Sequence, residues 1–376
     1  MKKFGMKQVS VIVSVVVFSI LLVAFIIILN FNSRKAPVDV LKEKTSVGLI
    51  LNGSRNDRSW NSAHYEALLR TAGILNIEVI CREFVPEDEN CYSTICSLID
   101  DDDCRIVICS SYGYGEQIER AAAEYPDRYF LHASGTAYGK NLGSFFGRMY
   151  QFRYLSGIAA GLAAKNGVIG YVAAFPISEV NRGINAFTLG VRSVNPDASV
   201  HVRFCNSWND DEPAAEAAQA LITECGADVI AMHTNSLAPL KTADANGVWS
   251  VGYNFDNSEL CPDTFLTGCV WEWDNYYYEQ ILSCLQGKFR GEHIWLGIES
   301  GTMELVDINP GVNDPEKYKK AVEAARALFE NYSYDVFYGP VTDNGGRVRI
   351  GEGESMSDDR MLNKFDWYVE GVEIEQ

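Results

Sequence analysis

The residues best suited to chemistry stand in one short stretch. In Asp57-Arg58-Ser59-Trp60-Asn61, Trp60 and Asn61 place a flat aromatic ring beside an amide that can both donate and accept. A ring of this kind stacks on a planar heterocycle while the amide reads the heterocycle's edge. The same pair also has an ordinary use, with Trp60 in a core and Asn61 capping a helix. His64 follows one helical turn later. With nearby carboxylates it raises an acid–base alternative, such as nucleoside cleavage. No nucleophile elbow, metal triad or paired His–carboxylate spacing supports that alternative, so an enzyme is not the reading adopted.

These residues need a scaffold, and the surrounding pattern supplies one. An apolar strand, Val47 to Leu51, runs into a polar loop, and a helix over Asn61–Leu75 opens with Ser59 or Asn61 as its cap. Ligands of open parallel sheets bind beyond the carboxyl ends of the strands, which is where this loop lies. Further strands are expected at 77–82, 105–110, 129–133 and 142–146, with helices at 92–100 and 116–125 between them. After an Ala- and Gly-rich helix over 151–166 the alternation restarts. Strands at 168–174, 199–205, 228–233 and 248–254 then alternate with helices at 179–194, 213–225 and 237–245. The fold class is therefore α/β, with two similar doubly wound parallel-sheet lobes. The first lobe is expected over 46–150 with a return segment at about 265–310. The second is expected over 151–264 with a C-terminal segment at 311–376. Asn344-Gly345 predicts a β-hairpin near the end. Neither lobe carries a dinucleotide fingerprint or a P-loop, and Tyr112-Gly113-Tyr114-Gly115 is too short to count as one.

The N-terminus reads differently. Lys2, Lys3 and Lys7 precede an uncharged apolar run from Val9 to Leu29, long enough to cross a bilayer as a helix. The run lacks an Ala-x-Ala site, and the first cysteine is Cys81. An uncleaved signal anchor over 1–30, a linker over 31–45 and an extracytoplasmic bulk, in a single-pass cell-membrane protein, follow from this. Residues 1–45 hold 7 basic and 2 acidic side chains, leaving 25 basic and 48 acidic beyond, a net −23. That excess argues against nucleic acid as a partner. Ten cysteines without a C-x-x-C pair, and only five histidines, argue against structural zinc and for no metal. Cys104 with Cys109, and Cys261 with Cys269, are close enough to pair in an oxidising compartment, or serve as small buried residues. The run Asp100–Asp103 reads as a solvated acidic turn.

Four stretches taken in order carry a family resemblance. They are Asp57–Asn61; Gly143-Ser144-Phe145-Phe146-Gly147 with Tyr154–Gly161 and Gly167–Val172; Gly190–Asp197; and a tail of Val336–Pro340, Gly345–Arg349, Gly351–Glu354 and Asp366–Val372. Over about residues 46–373 the chain resembles the basic membrane protein family of ABC-transporter substrate-binding proteins, the purine-nucleoside receptor lipoproteins. The resemblance implies a type I periplasmic-binding-protein fold whose lobes close over a ligand. It implies no cofactor, and a permease and an ATPase on separate chains. A membrane-tethered sensor of the same fold is the alternative.

The family's ligand contacts carry over unevenly. The stacking aromatic and its amide fall on Trp60 and Asn61. The first-lobe acidic base contact falls at Glu116, with Tyr112 one turn earlier, and the ribose-binding carboxylate falls on Asp256. Asn235 is a further expected contact. The family's ribose-binding Lys aligns with Trp271 and its second stacking aromatic with Gly183, so Phe175 is expected to supply the missing ring. A pocket with Trp271 in place of a Lys is smaller and drier where a sugar would lie. A free purine base is therefore expected over the nucleoside.

Overall fold

The computed structural model describes residues 44–331 and 335–375. The chain alternates strand and helix through β1 (Ser46–Ile50), α1 (Trp60–Leu75), β2 (Glu78–Arg82), α2 (Glu89–Asp100), β3 (Cys104–Cys109), α3 (Gly115–Glu124), β4 (Tyr129–Ala133) and β5 (Leu142–Gly147). It then runs through α4 (Met149–Ala163), β6 (Val168–Ala173), α5 (Ser178–Val194), β7 (Ser199–Phe204), α6 (Asp211–Thr223), β8 (Val229–His233), α7 (Ala238–Ala245), β9 (Trp249–Asn254) and β10 (Phe265–Trp271). Beyond these come α8 (Asp274–Leu285), β11 (His293–Leu296), β12 (Met303–Leu305), α9 (Pro315–Glu330), β13 (Val341–Thr342), β14 (Val348–Ile350), α10 (Asp358–Asn363) and β15 (Val372–Ile374).

The strands form one six-stranded sheet, β11-β5-β4-β3-β1-β2, and one seven-stranded sheet, β12-β10-β9-β8-β6-β7-β15. Every pairing within them is parallel except β10 with β12. Parallel strands covered by helices on both faces read as continuous apolar runs, and Val229–Met232 and Ile106–Cys109 are wholly buried. Strand order reverses between β1 and β3 in the first sheet and between β6 and β8 in the second. Such a reversal opens a crevice at the carboxyl ends of the strands. Each lobe has one.

The return segment is divided rather than handed over as a block. The expectation of a first-lobe segment from 265 fails at its start, because β10 and later β12 extend the second sheet, while β11 joins the first. The crossing falls after Trp271, where α8 packs on α1. The hairpin forms as β13 and β14 around Gly346, whose φ of +81° suits a residue without Cβ. All ten cysteines are free, so neither expected pair is joined. In the Asp100–Asp103 turn, Asp102 pairs with Arg82 and Asp103 with Arg128. Among the described residues no helix is long and apolar enough to cross a membrane. The anchor expected over 1–30 lies outside them.

Candidate functional site

The first wall of the site is set by the start of α1. Asp57, two residues before the helix-entry residue Ser59, does the capping expected of Ser59 or Asn61. Its carboxylate accepts the backbone N–H groups of Ser59 at 2.8 Å, Ser62 at 2.9 Å and Asn61 at 3.1 Å. An anion at a helix N-terminus satisfies orphan donors and meets the positive end of the dipole. The same carboxylate takes the Asn61 side-chain Nδ2 at 2.9 Å, which leaves the buried Asn61 Oδ1 without a partner. Trp60 projects over the β1–β3 crevice, and its Nε1 donates to the Ser110 carbonyl at 2.7 Å, fixing the plane of the indole. Around it stand Phe146 at the end of β5 and Trp271 at the end of β10, with centroids 6.2 and 5.7 Å away. Trp271 stacks on Trp273 at 4.6 Å, and Trp273 stacks on His64 at 5.3 Å.

The second wall comes from the β6–β8 crevice. Arg153 on α4, Glu179, Arg182 and Gly183 on α5, His233 closing β8 and Tyr253 on β9 join Phe146, Met149 and Tyr150 around an enclosed cavity of about 10 Å³. That is room for roughly one water molecule. Arg153 is fully buried, donates from Nη1 to the Met232 carbonyl at 2.8 Å and lies 3.9 Å over the Tyr253 ring. Its Nε and Nη2 have no partner, nor has Nε2 of His233. Buried polar atoms left unpaired cost on the order of 1–3 kcal/mol each, so three of them on two residues lining one cavity suit a hydrogen-bonding guest.

The electrostatics of this wall are mixed. Desolvation pushes the His233 imidazole well below its ordinary pKa, with Arg153 and Arg182 adding to the effect, so the ring is neutral. Desolvation pushes the Glu179 carboxyl up, against the opposing pull of Arg182 and Arg153. Desolvation also lowers the Arg182 guanidinium, whose Nη1 is held by the Met361 carbonyl at 2.7 Å. Guanidinium donors, an imidazole and a carboxyl side by side can serve both the acceptor and the donor atoms of a flat ligand. A Cβ on Gly183 would sit 2.8 Å from the His233 ring, so the imidazole occupies the space that a side chain at 183 would fill.

His64 is fully buried. Burial pushes its pKa down to about 3, and its Nδ1 lies 2.5 Å from the Tyr277 hydroxyl. It is a neutral structural residue behind Trp60.

The remaining expected contacts fall in three places. Asn235 and Trp271 belong to a network at the closure between the lobes. Asn254 donates to Asn235 Oδ1 at 3.0 Å and to Ser59 Oγ at 3.1 Å, and accepts from Trp271 Nε1 at 3.0 Å. Arg58 and Asn257 add a second pair of bonds across the same line, at 3.1 and 3.0 Å. Phe175 meets Trp208 at 5.9 Å rather than Trp60. Tyr112 and Glu116 are exposed at the first lobe's rim, away from the enclosed cavity. Asp256 is exposed too; it accepts the Ser258 N–H at 2.9 Å and lines an outer groove with Glu259, Glu272 and Glu304. The cavity residues Arg153, Glu179, Arg182 and His233 were not among the expected contacts. Their signal lay in lone polar residues closing or interrupting apolar elements, such as Arg153 within Met149–Ala163.

Two doubly wound lobes that shut over a small polar-and-aromatic cavity define a protein that captures a solute. Residues 44–332 match the family model for the PnrA-like ABC transporter substrate-binding proteins, and the chain belongs to that family. It is 34% identical to a purine-binding protein of Brucella abortus, over 88% of this chain and 94% of the relative. It is 38% identical to a putative ABC transporter glucose-binding protein of Haloferax volcanii, over 73% of this chain and 66% of the relative. Among solved structures, a transcriptional activator of the comK gene from Bacillus halodurans matches with a TM-score of 0.68 and 22% identity, covering 77% of this chain and 99% of that one. An ABC transporter solute-binding protein from Conexibacter woesei matches with a TM-score of 0.66 and 20% identity, covering 77% and 98%. These two establish the α/β periplasmic-binding-protein-like fold. The family is one of solute-binding proteins, not of enzymes.

Proposed function

We propose that this protein binds a free purine base between its lobes and delivers it to the permease and ATPase of an ABC importer, held to the cell membrane by its N-terminal segment. The observation that carries the reading is the cluster of Trp60, Phe146 and Trp271, whose Phe146 shares a cavity with the unpartnered donors of Arg153 and the unpartnered Nε2 of His233. Rings supply a stacking surface, and buried donors supply edge recognition. The purine-binding relative from Brucella supports the same class of ligand. The base is favoured over the nucleoside because Asp256, the expected ribose carboxylate, faces the outer groove, and Trp271 is committed to Asn254.

The cavity is too small for a purine in this conformation, so the lobes part to admit one and reclose around it. A ligand that touches both walls stabilises the closed state by its differential affinity. Calorimetry with adenine, hypoxanthine, guanine, adenosine and glucose tests the proposal, together with the mass of any small molecule that co-purifies. Tighter binding of a base than of adenosine is expected. Tighter binding of adenosine, or binding of glucose without any base, overturns it. A similarity of 25% to a transcriptional activator protein of Bacillus subtilis keeps a sensory role in view. Purine uptake by cells lacking the chain separates delivery from sensing: unchanged uptake favours the sensor.

A further inference from the structure

On the far edge of the second sheet, three different metal-binding side chains converge from distant parts of the chain. His201 lies on β7, Cys225 just after α6, and Glu375 just after β15. One ligand atom from each lies within 4.8 Å of the others, a convergence met nowhere else among the described residues. The sheet pairing brings the histidine and the carboxylate together. β15 adds in parallel to β7 with Glu373 opposite His201, and the Glu375 N–H donates to the Val202 carbonyl at 2.9 Å. Side chains alternate along a strand, so Glu373 and Glu375 share a face. The Glu375 Oε1 lies 2.7 Å from His201 Nδ1, and the Glu373 Oε2 lies 3.8 Å from the same nitrogen.

The other imidazole nitrogen carries the second part of the argument. His201 Nε2 lies 3.0 Å from Ser199 Oγ. The 2.7 Å contact holds a proton between Nδ1 and Glu375; a cation takes that proton's place, with the ring proton then on Nε2 and donated to the Ser199 hydroxyl. Metal-ligating histidines are oriented in this way, by a hydrogen bond from the nitrogen that does not bind. All three donors are partly buried, so water competes for them less than at an open surface.

We propose that His201, Cys225 and Glu375 form a zinc-type divalent cation site, with Glu373 as its fourth ligand. Imidazole, thiolate and carboxylate together suit Zn²⁺ with bonds of about 2.0–2.3 Å, and a thiolate ligand excludes Ca²⁺ and Mg²⁺ as the natural occupants. Binding releases the thiol proton to solvent and leaves the imidazole neutral. A cation there staples the C-terminal strand β15 to β7 and to the end of α6. The site is remote from the solute cleft, so its success or failure is independent of the proposed ligand.

The test uses the full chain, stripped with a chelator and titrated with Zn²⁺ and with Co²⁺. Zn²⁺ should bind one to one and raise the thermal midpoint, since a ligand bound only by the folded state stabilises it. Co²⁺ should give the intense visible and near-ultraviolet bands of a tetrahedral thiolate site in the unmodified protein, a readout that needs no variant. Cys225→Ser should abolish the thiolate band while Cys81→Ser keeps it, and Ser199→Ala should weaken Zn²⁺ by about 10–100-fold. Absence of stoichiometric binding, or a thiolate band that survives in Cys225→Ser, overturns the proposal.

Discussion

Trp60 of the first lobe packs beside Phe146, which lines a cavity with Arg153, Glu179 and His233 of the second, and the two walls are held in different ways. The first wall is local. Asp57 organises α1 from two residues before the helix-entry residue Ser59, and one hydrogen bond to the Ser110 carbonyl sets the indole plane. The second wall is assembled from residues 80 positions apart, with Arg153 anchored by the Met232 carbonyl at the neighbouring strand end. A ring accepts any flat partner, whereas a fixed guanidinium and imidazole accept only a matching pattern of donors and acceptors. On the proposed function, affinity would be lodged in the first lobe and selectivity in the second. A ligand is read fully only when both close on it.

The largest expected effect concerns what the walls share, a buried neutral histidine in each. His64 is held at a pKa of about 3 by burial, while an unfolded chain returns it to about 6.5. Below pH 6.5 the unfolded state therefore binds the proton that the folded state refuses, and stability falls as pH drops toward 3. The slope is about 1.4 kcal/mol per pH unit, so His64 alone costs about 2.7 kcal/mol by pH 4.5. His233 and His132, also lowered by desolvation, act in the same direction. The raised carboxyl of Glu179 acts oppositely, its contribution being lost as pH rises through its folded pKa. Urea unfolding at pH 7.5 and 4.5 should show the net loss at the lower pH, and His64→Phe should reduce it. An unchanged slope in that variant would break the symmetry claimed for the two walls.

Ligand variants sharpen the contrast itself. Arg153→Met keeps the bulk of the side chain and removes the charged donors, which should cost about 1.5–3 kcal/mol of affinity, on the order of 10–150-fold. The loss should differ among adenine, hypoxanthine and guanine. Trp60→Ala should cost about 1–3 kcal/mol, the range of one stacked base, and cost it nearly equally for all three. If Trp60→Ala altered the ranking of bases and Arg153→Met did not, selectivity would have been assigned to the wrong lobe.

The smallest effect tests how the first wall is held. Asp57→Ala removes three backbone partners at the start of α1 and should lower stability by about 0.5–2 kcal/mol, measured as a shift in the unfolding midpoint without change in the denaturant slope. Binding should weaken too, because Asn61 loses the partner that orients it. Full affinity in this variant would show that Trp60 is positioned by Ser110 alone.

Much of this molecule was legible in its sequence because the information is local. Alternating apolar runs and amphipathic stretches place β1 to β9 and their helices within a few residues, since backbone periodicity follows directly from which faces must be buried. The position of Trp60 and Asn61 at the start of the helix after β1 was legible for the same reason. The segment after 265 was not, because a short apolar strand carries no mark of which of two sheets it will join. Arg153 and His233 were overlooked because each reads alone as an isolated polar residue in an apolar element. The contacts carried over to Tyr112, Glu116 and Asp256 lie at the rim or in the outer groove, where the packing of neighbouring elements rather than residue type decides exposure.

By itself the sequence determined two parallel α/β lobes, a strongly acidic body and an aromatic ring beside an amide beyond the first strand end, all consequences of composition and short-range spacing. Only the tertiary structure decided which polar groups share a cavity, where the chain crosses between sheets, and that His201, Cys225 and Glu375 meet at one edge. His201 and Glu375, 174 positions apart, are brought within a few ångströms by strand pairing, and the end of α6 adds Cys225. No periodicity records that adjacency, because it is created only when β15 adds to β7.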